Sequence, residues 1–181
     1  RQGLNLGEGA AMLVLEREAD ARRRGARLLG FIDGYASAAD AHHPTAPHPE
    51  GRGLREAIAL ALAEAGLAPE QLGFVNAHGT GTLENDRVEG AVLADLLPGV
   101  PVVATKGATG HTLGAAGALE ALFTLRNLLD GGVPASAGFL TADPQCRTTP
   151  TRAPMAIRAT AALSDSLAFG GTNSVLVLRR G

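Results

Sequence analysis

Tryptophan is absent, tyrosine occurs once and phenylalanine five times, so aromatic residues make up only 3% of the 181 positions. A core of this composition rests on small and aliphatic side chains, with helices packed closely and backbone approaching backbone. The single cysteine, Cys146, excludes an internal disulfide framework and fits a reducing, cytoplasmic setting. No apolar run approaches the length of a bilayer span, and no signal-peptide pattern is visible. Charge of either sign is not in excess: the formal net charge is -2, which argues against nucleic acid or a membrane surface as partner. Lysine is almost missing as well. Lys106 is the only one, and the other fifteen cations are arginine.

What is present is 45% hydrophobic residues and 24 glycines, enough for one domain or one large half of a bigger body. The chain opens on Arg1 and is inside a strand-like pattern by Leu4, so it reads as the later part of a longer polypeptide. Leu4 to Glu16 reads as one or two strands, and Glu18 to Gly25 as a short charged helix or turn. Leu28 to Ser37 reads as a strand. Asp40 to Gly51 holds three histidines and three prolines and reads as a loop. Its histidine spacing matches no zinc pattern, so no metal site is expected there.

Leu54 to Ala65 reads as an amphipathic helix stopped by Gly66, and Phe74 to Ala77 as a short buried strand that delivers His78 into Gly-Thr-Gly-Thr. Asp86 to Leu97 is expected to be helical, Val100 to Ala104 a strand, and Thr112 to Leu129 a helix. Pro134 to Pro154 is a long irregular connection, and Leu163 to Ala168 and Ser174 to Leu178 close the chain as strands. Alternating strands and helices predict a mostly parallel sheet with helices on both faces and one antiparallel strand from the closing pair.

In such sheets active groups gather beyond the carboxyl ends of the strands. Two histidines, His78 and His111, sit at such ends beside glycine and threonine. Two imidazole N–H groups can stabilise a developing oxyanion or enolate. Lys106, between a strand end and a helix start, could hold the His111 ring and favour its neutral form by its charge. Glu120 is a candidate counter-ion for it. Cys146, in the polar stretch DPQCRTTP, has no context that lowers a thiol pKa and reads as incidental.

The motifs NAHGTGT (76–82), TKGATGH (105–111), GAAGALE (114–120) and FGGTN (169–173) together resemble the C-terminal half of the β-ketoacyl-[acyl-carrier-protein] synthases, in the two-histidine class of the thiolase superfamily. The opening GLNLGEGAAMLVLE resembles the last strands of that family's N-terminal half. The resemblance implies residues 1–25 as the end of one thiolase-like half and 26–181 as the other, an α/β unit with a mixed five-stranded sheet inside an αβαβα body. It implies a decarboxylative Claisen condensation of acyl and malonyl units in fatty-acid or polyketide synthesis, with the nucleophilic cysteine in the other half.

By motif position, His78 and His111 would bond the malonyl thioester oxygen and Lys106 would order the second of them. Thr80 and Thr82 would meet the pantetheine arm, and Phe169 and Gly170 would form the gate beside the acyl pocket. Asp86, Glu89, Glu120 and Asn173 would support the site. Acyl carrier protein, the N-terminal half and a homo- or heterodimeric mate are the implied partners. No cofactor is implied beyond the carrier's phosphopantetheine. Ala168 stands where the family usually has glycine, which suggests a stiffer gate. A non-catalytic partner subunit resembling a chain-length factor is the alternative, although both histidines and the lysine are retained. A thiolase is disfavoured because its late Cys-Gly motif has no counterpart.

Overall fold

The computed structural model describes residues 3–181; Arg1 and Gln2, the first two residues of the segment read as 1–25, lie outside the described residues. The described elements are α1 (Glu18–Arg23), β1 (Gly30–Ala39), α2 (Arg52–Ala65), β2 (Leu72–Ala77), α3 (Leu83–Leu96), β3 (Val102–Ala104), α4 (Lys106–Thr109), α5 (Ala116–Asp130), β4 (Gly132–Val133), β5 (Met155–Ala156), β6 (Ala161–Ala168) and β7 (Thr172–Arg180). Five strands form one mixed sheet in the order β1-β7-β6-β2-β3. The pairs β2–β3 and β2–β6 are parallel, and β6–β7 and β1–β7 antiparallel. Strands β1, β6, β2 and β3 therefore run in one direction and β7 alone runs against them, which is the mostly parallel sheet with one antiparallel strand expected from the closing pair.

Successive strand residues face opposite sides of a sheet, and the two faces are covered separately. Val75, Val102, Leu163 and Val177 pack with α2 residues Leu54, Ile58 and Leu62 and with Val92 of α3. Their neighbours Phe74, Val103, Ala162 and Leu178 pack with Ala121 and Leu128 of α5. Helices thus cover both faces, as the alternating pattern requires. Gly34 lets α2 approach β1: a Cβ there would lie 2.1 Å from the Ala61 carbonyl oxygen. Helices α2 and α5 both end on a left-handed glycine, Gly66 and Gly131.

The segment from Leu4 to Glu16 is a correction to the sequence reading. It contains one isolated bridge, Leu6 to His111, and no strand. Three side chains of its apolar run, Met12, Val14 and Leu15, are 88%, 83% and 68% exposed. The long connection after β4 covers the β3 edge, where Thr151 N donates to Val102 O at 2.8 Å and Ser136 Oγ accepts from Ala104 N at 3.0 Å. Thr148 Oγ1 ties it to α3 through Gly90 O, at 2.7 Å. Capping an open edge in this way removes a template for unwanted strand pairing.

Candidate active site

Parallel β2 and β3 lie side by side, so their carboxyl ends deliver His78 and Lys106 to the same place. Lys106 opens α4 and is only 7% exposed. Its ammonium donates to His78 O at 2.5 Å and to Glu120 Oε1, and it lies 3.2 Å from His78 Nδ1. An ammonium has no lone pair, so His78 Nδ1 must be the acceptor and the proton of the neutral ring sits on Nε2. His111 reaches the same tautomer by another route: its Nδ1 accepts from Leu113 N at 3.2 Å. Both imidazoles are left with Nε2–H to donate.

The two rings meet edge to face, with centroids 5.2 Å apart. Burial, followed by the charges of Lys106 and His111, lowers the His78 pKa to about 3. Burial and then Lys106 also lower that of His111. Both rings are therefore neutral donors at pH 7. The lysine's direct contact falls on His78 and not, as expected, on His111; His111 feels it through its charge. Glu120 is the lysine's counter-ion, yet its carboxyl is raised to about 7, because burial outweighs the attraction of Lys106 and Glu89 adds repulsion.

The loop after His78 is held by its own backbone. Gly79 and Gly81 both have positive φ, and their N–H groups donate to Glu89 Oε2 at 3.0 Å and to Asp86 Oδ1 at 3.1 Å. Asp86 and Glu89, on the first turns of α3, thus fix the turn that aims His78. Asn85 Nδ2 adds a bond to Glu89 Oε2 at 2.9 Å. Thr80 and Thr82 share a hydroxyl bond of 2.9 Å at the exposed rim of this loop. Gly107 also has a steric reason: a Cβ there would sit 2.0 Å from the Ala137 carbonyl oxygen, so the position admits no side chain.

His111 is held from outside the sheet. His111 N donates to Asn5 O at 2.8 Å, and Gly7 N donates to His111 O at 3.0 Å, so the strap at residues 5–7 grips both of its backbone polar groups. A Cβ on Gly7 would lie 2.0 Å from the Thr109 carbonyl oxygen. Gly7→Ala should therefore push the strap off and free His111. If His111 serves the reaction proposed below, a loss of activity on the order of 10-fold or more is expected with the fold retained, since a small misplacement of a reacting group has effects of this size. Circular dichroism and turnover in the complete protein check it; full turnover would show that the strap does not position His111.

Phe169 is 80% exposed and Gly170 is left-handed, at φ 82. Ala168 is extended, with φ -126 and ψ 157, a conformation open to any residue, so its methyl group adds no backbone strain. Asn173 Nδ2 donates to Asp40 Oδ1 at 3.1 Å and to Gly171 O at 3.0 Å. Asp40 also accepts from Gly53 N and His48 N, each at 2.9 Å. It pins the histidine-rich loop against the FGGT turn, where Gly170 N donates to Pro44 O at 2.6 Å. Within that loop His43 Nδ1 accepts turn N–H groups of Thr45 and Ala46. Sequence reasoning missed Asp40, Asn76 and Asp165. Asn76 and Asp165 are wholly buried polar residues inside strands, which is a legible signal.

Residues 29–140 match the profile described as the β-ketoacyl synthase C-terminal domain. The chain is 39% identical to 3-oxoacyl-[acyl-carrier-protein] synthase 2 of Synechocystis over 99% of its own length and 44% of that protein's. It superposes on the ishigamide ketosynthase/chain length factor structure with a TM-score of 0.94 at 38% identity, over 100% of this chain and 45% of the other. A further structure, a type II polyketide synthase acyl-carrier protein with its hexaketide-bound ketosynthase (AntDE:AntF), matches with a TM-score of 0.86 at 30% identity over 92% and 42% of the two chains. The chain spans less than half the length of these relatives.

Proposed function

Because this chain belongs to the β-ketoacyl synthase family, as a C-terminal domain, we propose that it supplies the decarboxylation half of a condensing site. The observation that carries the reading is the paired neutral imidazoles, each with its Nε2–H free to donate, beside a buried lysine. In this reading the malonyl thioester oxygen accepts from His78 and His111. Negative charge moves onto that oxygen as carbon dioxide leaves, and preorganised donors in a dry site stabilise it most at that moment. The resulting carbanion attacks an acyl group carried as a thioester on a cysteine outside this chain; the thiolate leaves and the β-ketoacyl product forms.

Thr80 and Thr82, at the rim of the loop, are proposed to meet the carrier's pantetheine arm. Phe169 would close on the acyl chain once residues of the other half line the pocket. Residues 1–25 are proposed to belong to that other half, and the exposed apolar side chains of Leu6, Met12, Val14 and Leu15 support an apolar mate for this surface. Acyl carrier protein and a dimeric mate are proposed as partners, supported by the complexes named in the relatives' structures. The proposed chemistry needs no cofactor beyond the carrier's arm.

The second reading is a non-catalytic subunit beside an active synthase, with which the ketosynthase/chain length factor likeness is equally compatible. Exposure of the complete protein to an acyl-carrier thioester, followed by intact-mass and peptide mapping, separates the two. The catalytic reading expects one acyl group on a cysteine outside this chain and none on Cys146. Acylation of Cys146 would overturn the assignment, and no acylation at all would favour the partner subunit.

A further inference from the structure

The chemistry above leaves one enclosed group unused. Asp165, in the middle of β6, is 0% exposed, and among the described residues neither of its carboxyl oxygens has an ordinary donor. Glu89 Oε1 and Glu120 Oε2 are also buried without one. The groups that face Asp165 are Glu89 from α3, Glu120 from α5 and Lys106 from α4; Asp86 stands beyond Glu89, and His78 and His111 beyond Lys106. Three carboxyl groups thus share one ammonium, which is already committed to Glu120 and His78. A buried carboxylate without a donor is strongly disfavoured, and two that touch cannot both stay charged.

We propose that Asp165 is a positioning residue that stays protonated at neutral pH and donates its proton to Glu89 Oε1. The Glu89 carboxylate is then fixed on one side, and its Oε2 is free to hold Gly79 N and Asn85 Nδ2. Through that bond the Asp165 proton steadies the loop that aims His78. One proton between the two carboxyls satisfies the orphaned Glu89 oxygen and one of the Asp165 oxygens together. Burial, and next the Glu89 carboxylate, push the Asp165 carboxyl well upward, while Lys106 opposes them.

A carboxyl raised in this way binds its proton more tightly in the folded than in the unfolded protein. The stability it contributes is complete below the ordinary aspartate range and is lost as pH rises toward the folded-state value. Asparagine keeps an N–H donor for Glu89 and needs no proton. In the complete protein, the Tm advantage of Asp165→Asn over wild type should therefore widen by about 2 °C or more between pH 5 and pH 8. Infrared spectra of the wild type at pH 7 should show the carbonyl stretch of a neutral carboxylic acid, and the variant should lack it. Malonyl decarboxylation by the wild type should fall on the alkaline side, with that limb missing in Asp165→Asn.

Three results would overturn the proposal: no neutral-acid band in the wild type, a Tm gap that does not change with pH, or a wild type stabilised specifically by added sodium, potassium or magnesium at fixed ionic strength. The last would mean that a cation and not a proton occupies the cluster. The band and the Tm gap do not depend on turnover. Loss of the decarboxylation reading with both intact would leave this inference standing.

Discussion

On the proposed decarboxylation reading, His78→Ala in the complete protein should lower carbon dioxide release from malonyl-carrier protein by a factor on the order of 10² or more, the usual effect of deleting one oxyanion donor. The size follows from the state of the ring. His78 is 5% exposed, and its pKa of about 3 keeps it neutral at every working pH. Lys106 occupies Nδ1, so the only service left to the ring is donation from Nε2. Alanine removes that donor without introducing a charge. His78→Gln, which can place an amide N–H nearby, should recover part of the rate. Binding of the carrier should change little, because Thr80 and Thr82 lie on the exposed rim. A fall in turnover with KM nearly constant is the signature of a bond made in the transition state.

Lys106→Ala should be nearly inactive and also destabilised, which sets it apart from the histidine variants. Among the described residues its ammonium is the sole cation bonded to Glu120, and both side chains are nearly sealed from water, at 4% and 3% exposure. Removing one member of a buried ion pair costs about 3–5 kcal/mol, because the other is left charged and alone. The loss should be smaller at low pH, since Glu120, with a pKa near 7, can take up a proton once the lysine is gone. Pairing Lys106→Met with Glu120→Gln should restore much of the Tm, because the charge that needed a partner is removed. Activity should stay low, because His78 Nδ1 and His78 O lose their donor. Thermal unfolding and turnover of the single and double variants check both statements; recovery of activity in the double variant would return Lys106 to a purely structural role.

Much of this was legible from residue order. Strand exits followed by glycine, threonine and histidine marked His78 and His111, and a solitary lysine among arginines marked Lys106. The helix ends were readable because Gly66 and Gly131 terminate periodic apolar runs. What was not legible depends on contacts distant in sequence. The expected grip of Lys106 on His111 became a grip on His78, because parallel β2 and β3 bring residues 78 and 106 side by side while α4 carries the chain away. The strap at residues 5–7 that holds His111 is a non-local pairing, and an apolar alternating run is read as a strand whether or not a partner exists. Asp165 lies in a stretch read correctly as a strand, but its serine neighbours in ALSDSLA give no sign of burial, which comes from the pairing of β6 with both β2 and β7.

Whether the two imidazoles act on one oxyanion is decided by carbon dioxide release from carboxyl-labelled malonyl-carrier protein by the complete protein, run at pH 7 on wild type, His78→Ala and His111→Ala with folding verified by circular dichroism. Each variant should lose on the order of 10²-fold or more while still binding the carrier. Release at the wild-type rate from either folded variant would contradict the pairing of the two imidazoles at a single oxyanion.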